Sequence, residues 1–196
     1  MEVLPLFPLP VVLFPGAPMP LHIFEPRYRA MVARCLEYDM RFGLIHHDAD
    51  EQGPFLLEEG RVGTVALIEK HQPIPDGRSL ILVRGRERFR IVRGLDQREL
   101  FYEAEIRPYT DLTLPREDGI RRAREQTLTL FHAVVQRLDE PPEEIPAFNL
   151  ACDLSFQLAP YIQIDGRWQQ SFLELREEAH RLERLDAVFQ AAVDRS

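Results

Sequence analysis

Hydrophobic and polar residues follow two different periods along this 196-residue chain, and the period changes near Thr110. Before that point the apolar residues fall mostly in short, strand-like runs. Leu4–Pro20 is apolar but carries prolines at 5, 8, 10, 15, 18 and 20. Proline has no N–H for a ladder, so a strand here is expected to pair irregularly or to lie at an edge. Pro26 then suits the first turn of a helix. Tyr28, Met31, Val32, Cys35 and Leu36 follow at the spacing of one helical face. Phe42–Ile45, Val62–Ile68 and Leu80–Val83 read as buried strands, and Tyr102–Arg107 as a last, alternating one. Between them, Arg84-Gly85-Arg86-Glu87-Arg88-Phe89-Arg90-Ile91 alternates plainly, with the arginines on one face and Phe89 and Ile91 on the other. About five strands with one helix inserted early predict a small mixed β-barrel.

Beyond Pro115 the period becomes helical. Arg116–Leu138 places Ile120, Ala123, Thr127, Phe131, Val134 and Leu138 on one stripe, stopped by Pro141-Pro142. Phe148–Ala159 is largely apolar and is stopped by Pro160. Ser171-Phe172-Leu173-Glu174 has the form of a capping box and opens a third helix, with Phe172, Leu175, Ala179, Leu182, Phe189 and Val193 as its stripe. The expected fold class is α+β. A β-barrel domain over residues 1–112 is followed by a three-helix bundle over 113–196, packed on it to bury the stripes.

Charge narrows the chemistry. The chain has 24 basic and 32 acidic residues, net −8, the wrong sign for a non-specific nucleic-acid binder. Lys70 is the sole lysine, so no Gly-Lys-Ser/Thr phosphate loop is present. The two cysteines, Cys35 and Cys152, lie in apolar patterns and read as small core residues of a protein from a reducing compartment. The apolar N-terminus has Glu2 where a signal peptide is basic, and no run of 18 apolar residues occurs. A cytoplasmic protein without a membrane span is expected.

Several strings resemble the N-terminal domain of Lon proteases. They are Leu4-Pro5-Leu6-Phe7-Pro8-Leu9, Phe14-Pro15-Gly16, Pro20-Leu21-His22-Ile23-Phe24-Glu25-Pro26-Arg27-Tyr28, Gly63-Thr64-Val65-Ala66, Ile74-Pro75-Asp76-Gly77-Arg78, and Gly85 with Arg88, Phe89 and Ile91. In this order they form a specific signal over about residues 3–110; the helical half resembles the family's helical extension by order and length of segments. The resemblance implies a PUA-like mixed β pseudo-barrel with one inserted helix, followed by a C-terminal three-helix bundle. It also implies substrate recognition, with an ATP-dependent protease as possible partner. A full-length Lon also needs an ATPase and a Ser–Lys protease domain, which this sequence lacks, so the expectation is a stand-alone, non-enzymatic recognition domain without cofactor.

Three candidate sites follow from the residues. Leu21, Ile23, Phe24, Glu25, Arg27 and Tyr28 combine apolar surface with orienting charges, as binding of unfolded or apolar protein segments requires; the alternative is that Phe24 staples the helix entry. Arg84, Arg86, Arg88 and Arg90 form the alternative, an RNA-binding face, opposed by the net charge and by the lack of interleaved aromatics. The third, a metal-dependent hydrolase, would use His46, His47, Asp48, Asp50 and Glu51; neighbouring strand residues face opposite ways, and no H-x-x-x-H spacing is present, so a polar loop is the simpler reading. No metal is therefore expected. Of the serines at 79, 155, 171 and 196, none sits in a nucleophile motif. Neither the client nor the oligomeric state is legible.

Overall fold

The structure, a computed structural model, describes residues 2–95, 99–112, 117–138 and 145–194. The mixed α+β chain forms two compact units, Met1–Thr110 with Ile164–Glu174, and Asp111–Gln163 with Leu175–Ser196. Residues 164–174, read from sequence as part of the helical half, thus cluster with the sheet.

Six strands build the first unit: β1 (Glu2–Leu9), β2 (Pro18–Ile23), β3 (Arg41–His46), β4 (Val62–Pro73), β5 (Ser79–Gly94) and β6 (Tyr102–Pro108). Their order is β2-β5-β4-β3-β1-β6, and β5 also pairs with β6, so the sheet curls into a partial ring. Among the described strands, only the β1–β3 pair is parallel. Helix α1 (Pro26–Glu37) is the insertion read from its stripe; Tyr28, Met31, Val32 and Cys35 are buried. A second, four-residue helix, α2 (Ala49–Gln52), follows β3.

The proline-rich β1 is not an edge strand. Its first half pairs with β6 and its second half with β3, so among the described residues Pro5 lies opposite Glu103 alone and Pro8 opposite Ile45 alone. With one flank of each half left open, each proline nitrogen can face away from the ladder. The edge expectation holds for β2, which pairs with β5 alone and carries Pro18 and Pro20.

Leu4, Leu6, Ile45, Val65, Phe89, Ile91, Ala104 and Ile106 form the core of the curled sheet. Phe89 fills it so closely that a Cβ on Gly43 or Gly63 would lie 2.6 or 2.8 Å from its ring. Close approach of a different kind holds the N-terminal turn. Gly16, at φ +81°, donates to Gly85 O at 2.8 Å, Gly85 donates to Ala17 O at 2.9 Å, and a Cβ on Gly85 would strike the carbonyl of Phe14.

Among the described residues, the later part of the chain holds four α-helices, α3 (Glu117–Val135), α4 (Leu154–Leu158), α5 (Gly166–Leu173) and α6 (Glu178–Val193), with a 3-10 turn at Ala159–Tyr161. The expected stop at Pro141-Pro142 and the start at Arg116 lie outside the described residues. Ile120, Thr127, Phe131 and Val135 are the buried stripe of α3, which packs on α6. Val134 is rotated off that stripe and Leu138 is 47% exposed.

The third expected helix is two helices. Asp165, not Ser171, caps α5, accepting from Trp168 N at 2.9 Å; the Ser171 hydroxyl donates inside the helix to Trp168 O. The chain breaks at Glu174–Glu177 before α6 begins. Phe172 packs edge-on against Phe14 and stacks on Trp168, which is why its helix belongs with the sheet.

The second unit also buries charge within its apolar core. Arg181, fully buried, donates to Asp111 at 2.7 Å, Asp153 at 2.7 Å, the Ser155 hydroxyl and Leu175 O, with its guanidinium over the Phe156 ring. Arg124 and buried Glu178 form a second pair, and Glu178 also accepts from Leu154 N. Cys152, read as core, is exposed in a turn; Cys35 is buried as expected, and burial pushes its thiol up to about 12.

Candidate functional site

β2 delivers the segment Leu21–Tyr28 to the start of α1. Alternation along the strand buries Ile23 and leaves His22 and Phe24 outward. Phe24 is 57% exposed, touched by the His22 ring at 5.6 Å. It is therefore not a staple closing the helix entry. Leu21 is half-buried. Tyr28 lies in the core beside the Phe7 ring at 4.0 Å, and burial pushes its hydroxyl up to about 12. Glu25 and Arg27 pair at 2.9 Å, and the Arg27 guanidinium covers the Tyr28 ring at 4.5 Å. Of the six residues, Phe24, Glu25 and Arg27 thus form the presented surface, while Ile23 and Tyr28 support it from within.

Next to this segment lies a groove of about 440 Å³ that Glu25, Arg27 and Tyr28 help to line. Its apolar walls are Pro8, Leu9, Pro10, Phe55 and Tyr102; Asp48 and Asp50 lie at its polar side. The volume is in the range of pockets that hold a few side chains. His47 belongs to the wall and is 7% exposed. Its Nε2 lies 2.8 Å from Gly53 O and donates to it, and its Nδ1 is buried without a partner among the described residues. Sequence reasoning missed this groove because its walls come from four separate segments. The one signal available was the polar loop after β3, weighed there for metal binding.

That loop assembles no metal site: among the described residues no three His, Cys, Asp or Glu side chains converge to hold an ion. His46 is buried against Gly166, and burial lowers its pKa and favours the neutral ring. Asp48 caps α2 by accepting from Asp50 N at 3.0 Å, and Glu51 pairs with Arg167 at 2.9 Å.

The arginine face of β5 is broken up. A bulge sets Ala66 opposite Gly85 but Thr64 opposite Arg88, which inserts one extra residue on β5 and shifts the alternation. Arg84 pairs with Glu69 and donates to Gly16 O. Arg86 is exposed and Arg90 half-buried. Arg88 is 6% exposed, donates to Leu173 O at 2.6 Å and lies over the Tyr109 ring. Leu173 is the last residue of α5, so this cation meets the negative end of the helix. The four arginines do not present one continuous basic strip.

Comparison with known proteins agrees with this architecture. The family model of the ATP-dependent protease La (LON) substrate-binding domain matches residues 3–186. Lon protease of Escherichia coli K12 is 28% identical over 204 residues, covering 97% of this chain and 25% of that protein. Lon protease of Cytophaga hutchinsonii is 30% identical over 113 residues, covering 57% of this chain and 14% of that protein. The chain thus spans a quarter or less of the length of these relatives. Among solved structures, the Lon N-terminal domain protein of Xanthomonas campestris superposes with a TM-score of 0.66 at 26% identity, over 95% of this chain and 98% of that one. The N-terminal domain of Mycobacterium avium complex Lon protease shares the fold, with a TM-score of 0.70 at 17% identity over 96% of this chain and 98% of that one. Through its curled sheet, its inserted helix and its match over nearly the whole length, this chain belongs to the family of Lon substrate-binding domains.

Proposed function

We propose that this chain binds exposed apolar segments of non-native proteins at the surface formed by Phe24 and the adjoining groove, without a catalytic step of its own. The observation that carries the reading is Phe24 itself, an aromatic 57% exposed that directly precedes Glu25, whose pair with Arg27 lines the groove. Apolar side chains of a client would gain about 25 cal/mol per Å² of surface removed from water. The cost of ordering a flexible segment offsets much of that gain, so the complex is weak and exchangeable. In this reading the partial ring of strands serves as a PUA-like pseudo-barrel followed by a helical bundle. The protein acts in the cytoplasm as an adaptor in protein quality control, with an ATP-dependent protease as the partner that consumes what it holds.

The test is a calorimetric titration of a permanently unfolded client, such as a reduced and carboxymethylated protein, into the wild type and Phe24→Ala. The reading expects saturable binding with a negative heat-capacity change, and about tenfold weaker binding by the variant at an unchanged melting temperature. A large loss of stability in Phe24→Ala, or equal affinity of the two proteins, contradicts it.

A further inference from the structure

Resting on the binding reading above, we infer that the client surface continues from Phe24 over the open face of strands β2, β5 and β4, and that this face favours apolar segments carrying a carboxylate. Register builds the face. His22 lies opposite Leu80, which lies opposite Gln72; Pro20 lies opposite Leu82, which lies opposite Lys70. Side chains directly opposite one another share a face of the sheet, as do those two apart along a strand. The Phe24 ring adjoins this face, 5.6 Å from the ring of His22. Phe24 and Leu80 are 57% and 45% exposed, Pro20 is exposed and Leu82 is half-buried. The opposite face of the same strands buries Ile23, Ile81 and Val83. An apolar patch rimmed by polar side chains marks an interaction surface.

Charge complementarity decides the partner. Although the chain as a whole is net −8, the segments 18–24 and 67–84 that build this face carry three cations, Lys70, Arg78 and Arg84, against two carboxylates, Glu69 and Asp76. Both carboxylates are already taken. Glu69 accepts from Arg84 at 2.5 Å, and Asp76 accepts from Arg78 at 2.7 Å. Lys70, the sole lysine of the chain, is exposed and has no ion-pair partner among the described residues. The one uncompensated charge of the face is therefore positive, and it stands directly across from Leu82. A carboxylate within an apolar segment can pair with it while neighbouring side chains cover Leu82, Leu80 and Phe24. A basic segment meets like charge there and finds no free acid. At physiological salt, exposed charges more than about 8 Å apart are largely screened, so Lys70 and not the net charge of the chain sets the preference.

The experiment uses the full chain and three rhodamine-labelled, unstructured twelve-residue peptides of leucine and serine that differ at one central position: glutamate, glutamine or lysine. Anisotropy titrations at about 0.15 M salt should show the glutamate peptide binding about threefold more tightly than the glutamine one, with the lysine peptide weakest. Lys70→Gln should erase the glutamate preference and leave binding of the glutamine peptide unchanged. Leu80→Thr, which keeps a strand-forming residue, should weaken all three peptides by one factor at an unchanged melting temperature, as Phe24→Ala does. Equal binding of the three by the wild type, a preference that survives Lys70→Gln, or full affinity of Leu80→Thr overturns this inference and leaves the apolar binding reading at Phe24 standing. Binding of none of the three overturns both.

Discussion

The segment Leu21–Tyr28 and the arginine run of β5 are both read from sequence as surfaces, yet they differ in what their side chains already do. In β5 the bulge turns Arg88 inward to the end of α5, and Arg84 is taken by Glu69. In Leu21–Tyr28 the core residues Ile23 and Tyr28 fix the backbone, and Phe24 is left facing water. A cation that caps a helix end and a cation that waits for phosphate have the same sequence signature. Burial separates them, and burial depends on a one-residue register shift that no alternation pattern records.

Substitutions in the two regions should leave opposite signatures in stability and in affinity. The largest effect belongs to Arg181→Ala, the helical unit's counterpart of Arg88. It strands Asp111 and Asp153 and should cost about 3 kcal/mol in chemical denaturation. Arg88→Ala loses a buried hydrogen bond and the packing of its stem, and should cost about 2 kcal/mol while client affinity stays unchanged. If Arg88→Ala instead left stability intact and weakened RNA binding, the two regions would exchange roles. Phe24→Ala reverses the signature, with affinity down about tenfold and stability kept.

A smaller effect concerns pH. Burial lowers the pKa of His46 below the ordinary 6.5, so the folded state takes up its proton less readily than the unfolded one. That contribution is fully present above pH 6.5 and is lost as pH falls through the folded pKa. His46→Asn should therefore flatten the loss of stability between pH 7 and pH 5, measured by urea midpoints. Smallest of all, Arg84→Ala removes an exposed pair and should move the melting temperature by no more than about 1 °C.

Much of the fold is legible in the sequence because local rules act there undisturbed. The stripe Tyr28, Met31, Val32, Cys35 lies where helical spacing puts it, and the strands around Phe42, Val62 and Tyr102 keep their places. Illegible features depend on contacts distant in sequence. The irregular pairing that the prolines of β1 imply is observed, but not its partners: β6 covers the first half and β3 the second. Ser171 looks like a cap, but Asp165 starts the helix earlier and Phe172 is drawn to Phe14. Cys152 sits in an apolar string that turns rather than coils, so its thiol is exposed. The candidate site is legible in part: Phe24, Glu25 and Arg27 stand where the segment implies a surface. The groove is not, since Pro8, Asp48, Phe55 and Tyr102 meet only after the sheet curls.

The most direct measurement is amide hydrogen exchange of the full chain with and without a saturating unfolded client. Exchange should slow across residues 21–28 and 47–55 and stay unchanged along 84–90. Protection confined to 84–90, or to the helices α3 and α6, would contradict it.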